Sequence, residues 1–401
     1  MAGIRTSRTG PRTTPRRAAQ DGGPAGRHAA KGLPLGSRDR DMRDLTLAAA
    51  LPVMFVAKLL VAFFLPDKYF YDNRRILSMA LDLPTAVAWE GSYRVASDLF
   101  ASINVFGLDT MLQWSICMGV LFTFVLIWMI TRAYAPDWMQ LVFVLATVGL
   151  LNIYVFTIGK DLIQFAFFFA AYLVITMPAG RGPVKILLVA AILYVESTFF
   201  RAYYILIAAL VVAVYVVLTC FRRLYGRLGL GTVAMIVTIL FAGIWLMLAL
   251  SSSLMPDEYE TVMALRDDYD QVMDGNADSS TYIRSLIPGE GLPVFMANYV
   301  VNAMRMMVPV ELALRGPYYL PFFVFQTMVS VYLVNLLRRI NRIDDPVLFL
   351  ALCVFVGYVL ASFIFEPDFG SWTRHEAATF PILHLLVLNR HQRLPATRGG
   401  R

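Results

Sequence analysis

A chain that repeatedly presents about twenty apolar residues in a row has few folds open to it, because a backbone in hydrocarbon must satisfy its own hydrogen bonds. Such runs lie near 45–65, 111–131, 138–158, 162–177, 184–196, 202–221, 229–250, 317–337, 346–365 and 376–389. The stretch 184–221 is too long for one crossing and is interrupted by Glu196 and Arg201, so it reads as a tight helical hairpin. Charged residues make up 16% of the chain, against about 25% for a soluble domain. The expectation is an all-α integral membrane protein with about ten transmembrane helices.

Charge then orients the chain. Residues 1–44 carry nine Arg and Lys31 among Gly, Pro, Ser and Thr, a composition that cannot bury enough surface to order itself. They read as a disordered basic tail that fixes orientation rather than one that binds nucleic acid. The first apolar run starts near Leu45 and is not followed by a small-residue cleavage site, unlike a signal peptide. With this tail inside, alternate loops bring Arg132, Arg181 with Lys185, Arg222 with Arg223, Arg338 with Arg339, and Arg390 to the same side, as the positive-inside rule requires. Both termini are therefore expected in the cytoplasm. A polytopic domain spans 45–390, with a large acidic outer loop over 251–316, and 391–401 form a second cytoplasmic tail. The sequence "MPDEYETVMALRDDYDQVM" has the spacing of an amphipathic helix, and 292–314, with Arg305 and Pro309, reads as re-entrant or interfacial.

Ions at membrane depth are costly unless paired or wet, and so mark functional sites. Three polar tips fall on the outer side: Lys160-Asp161, Glu196 through Arg201, and "EPDFGSWTRHE" over 366–376. Thr373-Arg374-His375-Glu376 fits a capping box, which would start a helix beside Arg374 and make an anion site. His375 is a candidate proton-handling group. Glu196 and Arg201 are read either as a self-neutralising pair or as site residues, and Glu376 as a cap. His384 reads as a packing residue. Cys117, Cys220 and Cys353 each fall within an apolar run and read as packing residues. The chain has no phosphate-binding G-x-x-x-x-G-K-[ST] loop, no H-E-x-x-H and no paired-cysteine metal spacing.

Taken together, "LPDKYFYDNRRIL", "GKDLIQFAFFFAAYL", "ESTFFRAYYILI" and "FEPDFGSWTRHEAATFPIL" resemble the Wzy-type bacterial polysaccharide polymerases, including the EpsG-like exopolysaccharide and O-antigen group. The resemblance covers about 45–390. It implies a GT-C-like fold in the bacterial inner membrane. It also implies a metal-independent glycosyltransferase, without a cofactor, that joins undecaprenyl-pyrophosphate-linked repeat units at the outer face. Its donor and acceptor would be lipid-linked oligosaccharides, with a chain-length regulator and a flippase as further partners. On that reading Arg374, Arg201 and Lys160 hold the pyrophosphate, and His375 is the base or orients the acceptor. Glu196, Asp161 and Asp368 are alternatives to His375 in that role or orient the groups around it, and Asp72 orients the acceptor. Tyr69, Phe70, Tyr71, Tyr259, Tyr269 and Tyr282 are candidates for stacking on sugars or for packing. A GT-C transferase using a polyprenyl-phosphate sugar would instead take Asp67 or Asp72 as its base, and a flippase or channel would use the charges to line a conduit.

Overall fold

The structure is a computed structural model that describes residues 37–84, 89–224, 230–254 and 281–392, with isolated positions between 256 and 263. Most of the basic tail and most of the acidic outer loop, including Tyr269 and the amphipathic stretch expected there, lie outside the described residues. Among the described residues the regular structure is helical: α1 (Ser37–Phe63), α2 (Tyr71–Ala80), α3 (Ser92–Ser102), α4 (Met111–Arg132), α5 (Trp138–Leu150), α6 (Lys160–Thr176), α7 (Gly182–Phe199), α8 (Tyr204–Leu224) and α9 (Leu230–Leu254). After the acidic loop follow α10 (Leu292–Met307), α11 (Val310–Leu314), α12 (Leu320–Arg338), α13 (Pro346–Phe365), α14 (Phe369–Ala378) and α15 (Phe380–Val387). Helix α1 begins at Ser37, inside the segment expected to be a disordered tail.

Eight helices among the described residues are long and apolar enough to cross a membrane: α1, α4, α5 with its π-helical extension, α7, α8, most of α9, α12 with the short turn before it, and α13. The protein is an all-α, multi-pass membrane protein. Two of the ten expected crossings differ. Helix α6 has 17 residues, about 26 Å at 1.5 Å per residue and short of the ~30 Å hydrocarbon core. The run 376–389 is divided between α14 and α15, with Thr379 at the break and Pro381 opening the second helix. Its side chains are apolar because they are buried inside the protein, not because they meet lipid. The long run 184–221 does divide into α7 and α8, at Phe200 through Tyr203.

Helix α13 is the axis of the bundle. It is buried along nearly its whole length, which is why its sequence shows no polar face. Phe143 of α5 stacks on Phe325 of α12 at 5.3 Å, and Phe168 of α6 meets Tyr358 of α13 edge-on at 5.3 Å. Pro309 ends the 292–314 segment's helix, separating α10 from α11. At 16 residues, α10 is shorter than a crossing.

Candidate functional site

The site is built where α5 turns back into α6. The end of α5 widens into a π-helical turn, Leu151–Val155, with the Phe156 amide donating to the Leu151 carbonyl at 2.7 Å. Such turns free carbonyls that need other donors. Lys58 of α1 supplies them: its Nζ donates to the carbonyls of Asn152 (2.5 Å) and Phe156 (3.1 Å) and to Ser115 Oγ (2.9 Å). Gly119 of α4 leaves the room, since a Cβ there would sit 2.2 Å from Lys58 Cε. On the other side of the reversal, Asn73 of α2 donates to the Ile158 carbonyl at 2.7 Å, against Gly159, where a Cβ would lie 2.4 Å from the amide nitrogen. These contacts fix the start of α6, and with it Lys160 and Asp161.

Four further elements bring charge to that point. Arg201 comes from the α7–α8 turn, Asp72 from α2, Glu366 from the end of α13, and Arg374 and His375 from α14. His375 lies between two carboxylates, with Nδ1 2.7 Å from Glu366 Oε1 and Nε2 3.2 Å from Asp161 Oδ1. Arg201 Nη2 also reaches Asp161 Oδ1 (3.3 Å), and Nη1 donates to Gln164 Oε1 (2.8 Å) and Tyr203 Oη (3.2 Å). Gln164 in turn donates to the His375 carbonyl at 3.0 Å, so α6 grips α14 from both sides of the imidazole. Lys160 pairs with Asp72 at 3.2 Å and rests on the Tyr93 ring, 3.7 Å from its centroid, while Tyr93 donates to Asp72 at 2.7 Å. Arg374 is different. Among the described residues its one carboxylate contact is Nε to Asp161 Oδ2 at 4.0 Å, and its side chain is 21% exposed.

Helix α14 is started by Asp368, whose Oδ1 accepts from the Ser371 amide at 2.8 Å. Its neighbours pair with the end of the acidic loop, the Ile283 amide donating to Pro367 and the Phe369 amide to Thr281, both at 2.9 Å. The expected capping box at Thr373 is therefore corrected: Thr373 is inside the helix and donates to the Phe369 carbonyl. Arg374 does not stand at a helix start, and Glu376 is a buried helical residue rather than a cap.

Three site assignments also change. Both His375 nitrogens face carboxylates, and Nε2 also lies 3.2 Å from Arg201 Nη2; the two carboxylates favour the imidazolium, which has no lone pair to act as a base. Burial works against that charge, but the Glu366 and Asp161 carboxylates outweigh both burial and the nearby Arg201, and raise the His375 pKa above its ordinary value. Glu196 forms no ion pair with Arg201, and both its buried carboxyl oxygens lack a hydrogen-bond partner. Arg201 is engaged by Asp161, Gln164 and Tyr203, with His375 Nε2 also 3.2 Å from its Nη2, and is buried, so it is poorly disposed to take a ligand. The aromatic candidates scatter as well. Tyr69 stacks on Tyr318 at 5.6 Å, Phe70 on Tyr154 at 6.0 Å, Tyr71 lies under Arg75, and Tyr282 is buried. Asp67 pairs with Arg74 on the exposed surface.

The structure thus brings together Asp72, Lys160, Asp161, Arg201, Glu366, Arg374 and His375, with Asp368 capping the helix that carries the last two. Gln164, Tyr93, Tyr203 and Ser371, which donates to Glu366 at 3.0 Å, complete the cluster. No reading of the sequence marked these four, and the only signal was position: Gln164 lies one helical turn after Lys160. Asp72 is the most open of the carboxylates, at 29% against 11% for Asp161 and 4% for Glu366. Burial opposes its charge, but Lys160 and Tyr93 hold its pKa below the usual value. An apolar groove of about 470 Å³ lies between α6 and α7, lined by Ala166, Ala170, Ala191 and Val195 among others. Among the described residues no group of three or more His, Cys, Asp or Glu is arranged to hold a metal ion. Chemically, the cluster offers a guanidinium whose Nη groups have no partner among the described residues, an imidazole set between two carboxylates, and an accessible carboxylate at one helix-bundle end. No protein-family model, no curated protein and no solved structure matches the chain.

Proposed function

We propose that this chain is a Wzy-type polysaccharide polymerase with a GT-C-like fold, acting at the outer face of a bacterial inner membrane with both termini cytoplasmic. In the reaction, the bond between the growing glycan's anomeric carbon and its undecaprenyl pyrophosphate breaks. The electron pair leaves with the pyrophosphate, and a hydroxyl of the next lipid-linked unit forms the new glycosidic bond. The hydroxyl proton passes to a carboxylate.

The observation that carries this reading is Arg374: a partly buried guanidinium whose Nη groups have no partner among the described residues. A pyrophosphate on a long isoprenoid tail needs an anion site and an apolar trench, and the groove between α6 and α7 supplies apolar surface on the same bundle. Fixed donors aimed at a leaving group are effective because they need not reorganise as charge develops. Lys160 supports the same charge, and Arg201 positions His375 and Asp161. Asp72 is the carboxylate most open to an acceptor hydroxyl.

That last placement also favours a second reading, a GT-C transferase using a polyprenyl-phosphate sugar, in which Asp72 from the first outer loop is the base. Lipid-linked glycans from a deletion strain separate the two. Complete repeat units accumulating at the outer face with long polymer absent support the polymerase. Units lacking one sugar support the transferase, and complete units trapped at the inner face overturn both in favour of transport.

A further inference from the structure

Beside the charged cluster, a second cavity of about 270 Å³ lies between one face of α10, the segment 285–291 and the end of α13 at Phe363 and Ile364. Its wall is tied down. Asn298 Oδ1 accepts from the amides of Leu286 (3.2 Å) and Ile287 (3.0 Å), its Nδ2 donates to the Ile287 carbonyl (2.9 Å), and Tyr299 donates to the Leu360 carbonyl (3.1 Å). Asn302 lines the same cavity and is 1% exposed. Arg305 donates to its Oδ1 at 2.9 Å and is itself held by Glu311 and the Arg284 carbonyl. Because a guanidinium only donates, this contact fixes which end of the amide is oxygen. The Asn302 Nδ2 is left with no hydrogen-bond partner, a state that buried polar groups rarely keep without a reason.

We propose that this cavity binds one neutral sugar ring. Asn302 supplies a buried donor, Ser285 a hydroxyl, Glu290 a carboxylate acceptor and Phe295 an apolar surface. Sugar hydroxyls donate and accept around a C–H face, and that is the set they require. No Lys, Arg or His is among the described lining residues. At about 270 Å³ the cavity is slightly smaller than ordinary small-molecule sites of ~300–1,000 Å³, which suits one ring and not an oligosaccharide. It is also tied to the cluster through the backbone. Ile364 precedes Glu366 by two residues, and residues 281–283, which lead into the cavity wall, pair with 367–369. Resting on the polymerase reading, the ring held here belongs to the acceptor glycan.

The test is saturation-transfer NMR on the full chain in lipid nanodiscs, using methyl glycosides of glucose, galactose, mannose, rhamnose and N-acetylglucosamine at millimolar concentration. At least one is expected to receive saturation. The signal should fall at least fivefold in Asn302→Asp, which keeps the shape and the Arg305 contact but removes the donor. It should persist in Arg374→Ala. If Asn302→Asp fails to fold, Ser285→Trp, filling the space from the loop, must abolish the signal. Transfer to no glycoside, equal transfer in native and variant protein, or loss of transfer in Arg374→Ala would each overturn the proposal. If glycoside binding follows Asn302 while the deletion strain accumulates no complete lipid-linked units, the sugar site stands and the polymerase reading fails. The reverse pattern leaves the polymerase reading and removes this one.

Discussion

Lys58 and Arg374 are both cations on helices of the bundle, and they are used in opposite ways. Lys58 is 8% exposed, and its contacts are two carbonyls and a hydroxyl at the end of a π-helical turn. It is attracted to the negative end of α5 and closes the chain reversal that precedes Lys160. Arg374, among the described residues, has one long carboxylate contact, to Asp161, and open Nη groups. A cation whose donors are all engaged by the protein holds the fold. One whose donors remain open at a rim is available to a ligand.

The largest expected effect lies on the open side. Arg374→Ala should reduce polymer formation on the order of 10²–10³-fold, the typical loss when one charge-stabilising donor is removed, while thermal unfolding of the purified protein stays near native. Lys58→Met should do the reverse. It leaves buried carbonyls without a donor at about 1–3 kcal/mol each, and is read as a lowered unfolding temperature and reduced protein level. Gly119→Ala, which crowds the Lys58 side chain, should move stability in the same direction by less. Equal stability losses in Arg374→Ala and Lys58→Met would dissolve the contrast.

His375 sharpens the comparison through pH. Its folded pKa is raised above 6.5, so its contribution to stability is full below about pH 6.5 and is lost as pH rises through the raised folded value. Native protein should therefore exceed His375→Gln in unfolding temperature near pH 6, with the gap closing as pH increases. A gap that widened with pH would mean that His375 is buried neutral. The smallest effect belongs to the exposed Asp67–Arg74 pair. Asp67→Asn should change stability by less than about 1 kcal/mol and leave polymer output unchanged, whereas Asp72→Asn should impair output.

Much of this arrangement was legible in the sequence. Glu196 and Arg201 interrupt an apolar run too long for one crossing, and the chain turns there. Lys160-Asp161, Arg201 and Arg374-His375 were expected on one side, and they meet. Other features were not legible because two structures share one pattern. Apolar residues over 376–389 serve a buried broken helix as well as they would serve a lipid-facing one. Both Asp368 and Thr373 can start a helix, and only the pairing of 367–369 with 281–283 selects Asp368. The roles within the cluster depend on distance. Arg201 becomes a positioning residue, because Gln164 and Tyr203 happen to face it.

The most direct test is reconstitution of the purified protein with outer-face lipid-linked repeat units, comparing native chain with Arg374→Ala at matched folded amounts. The account predicts a ladder of lengthening glycans with the native protein and single units with the variant. A ladder of equal rate and length from Arg374→Ala would contradict it.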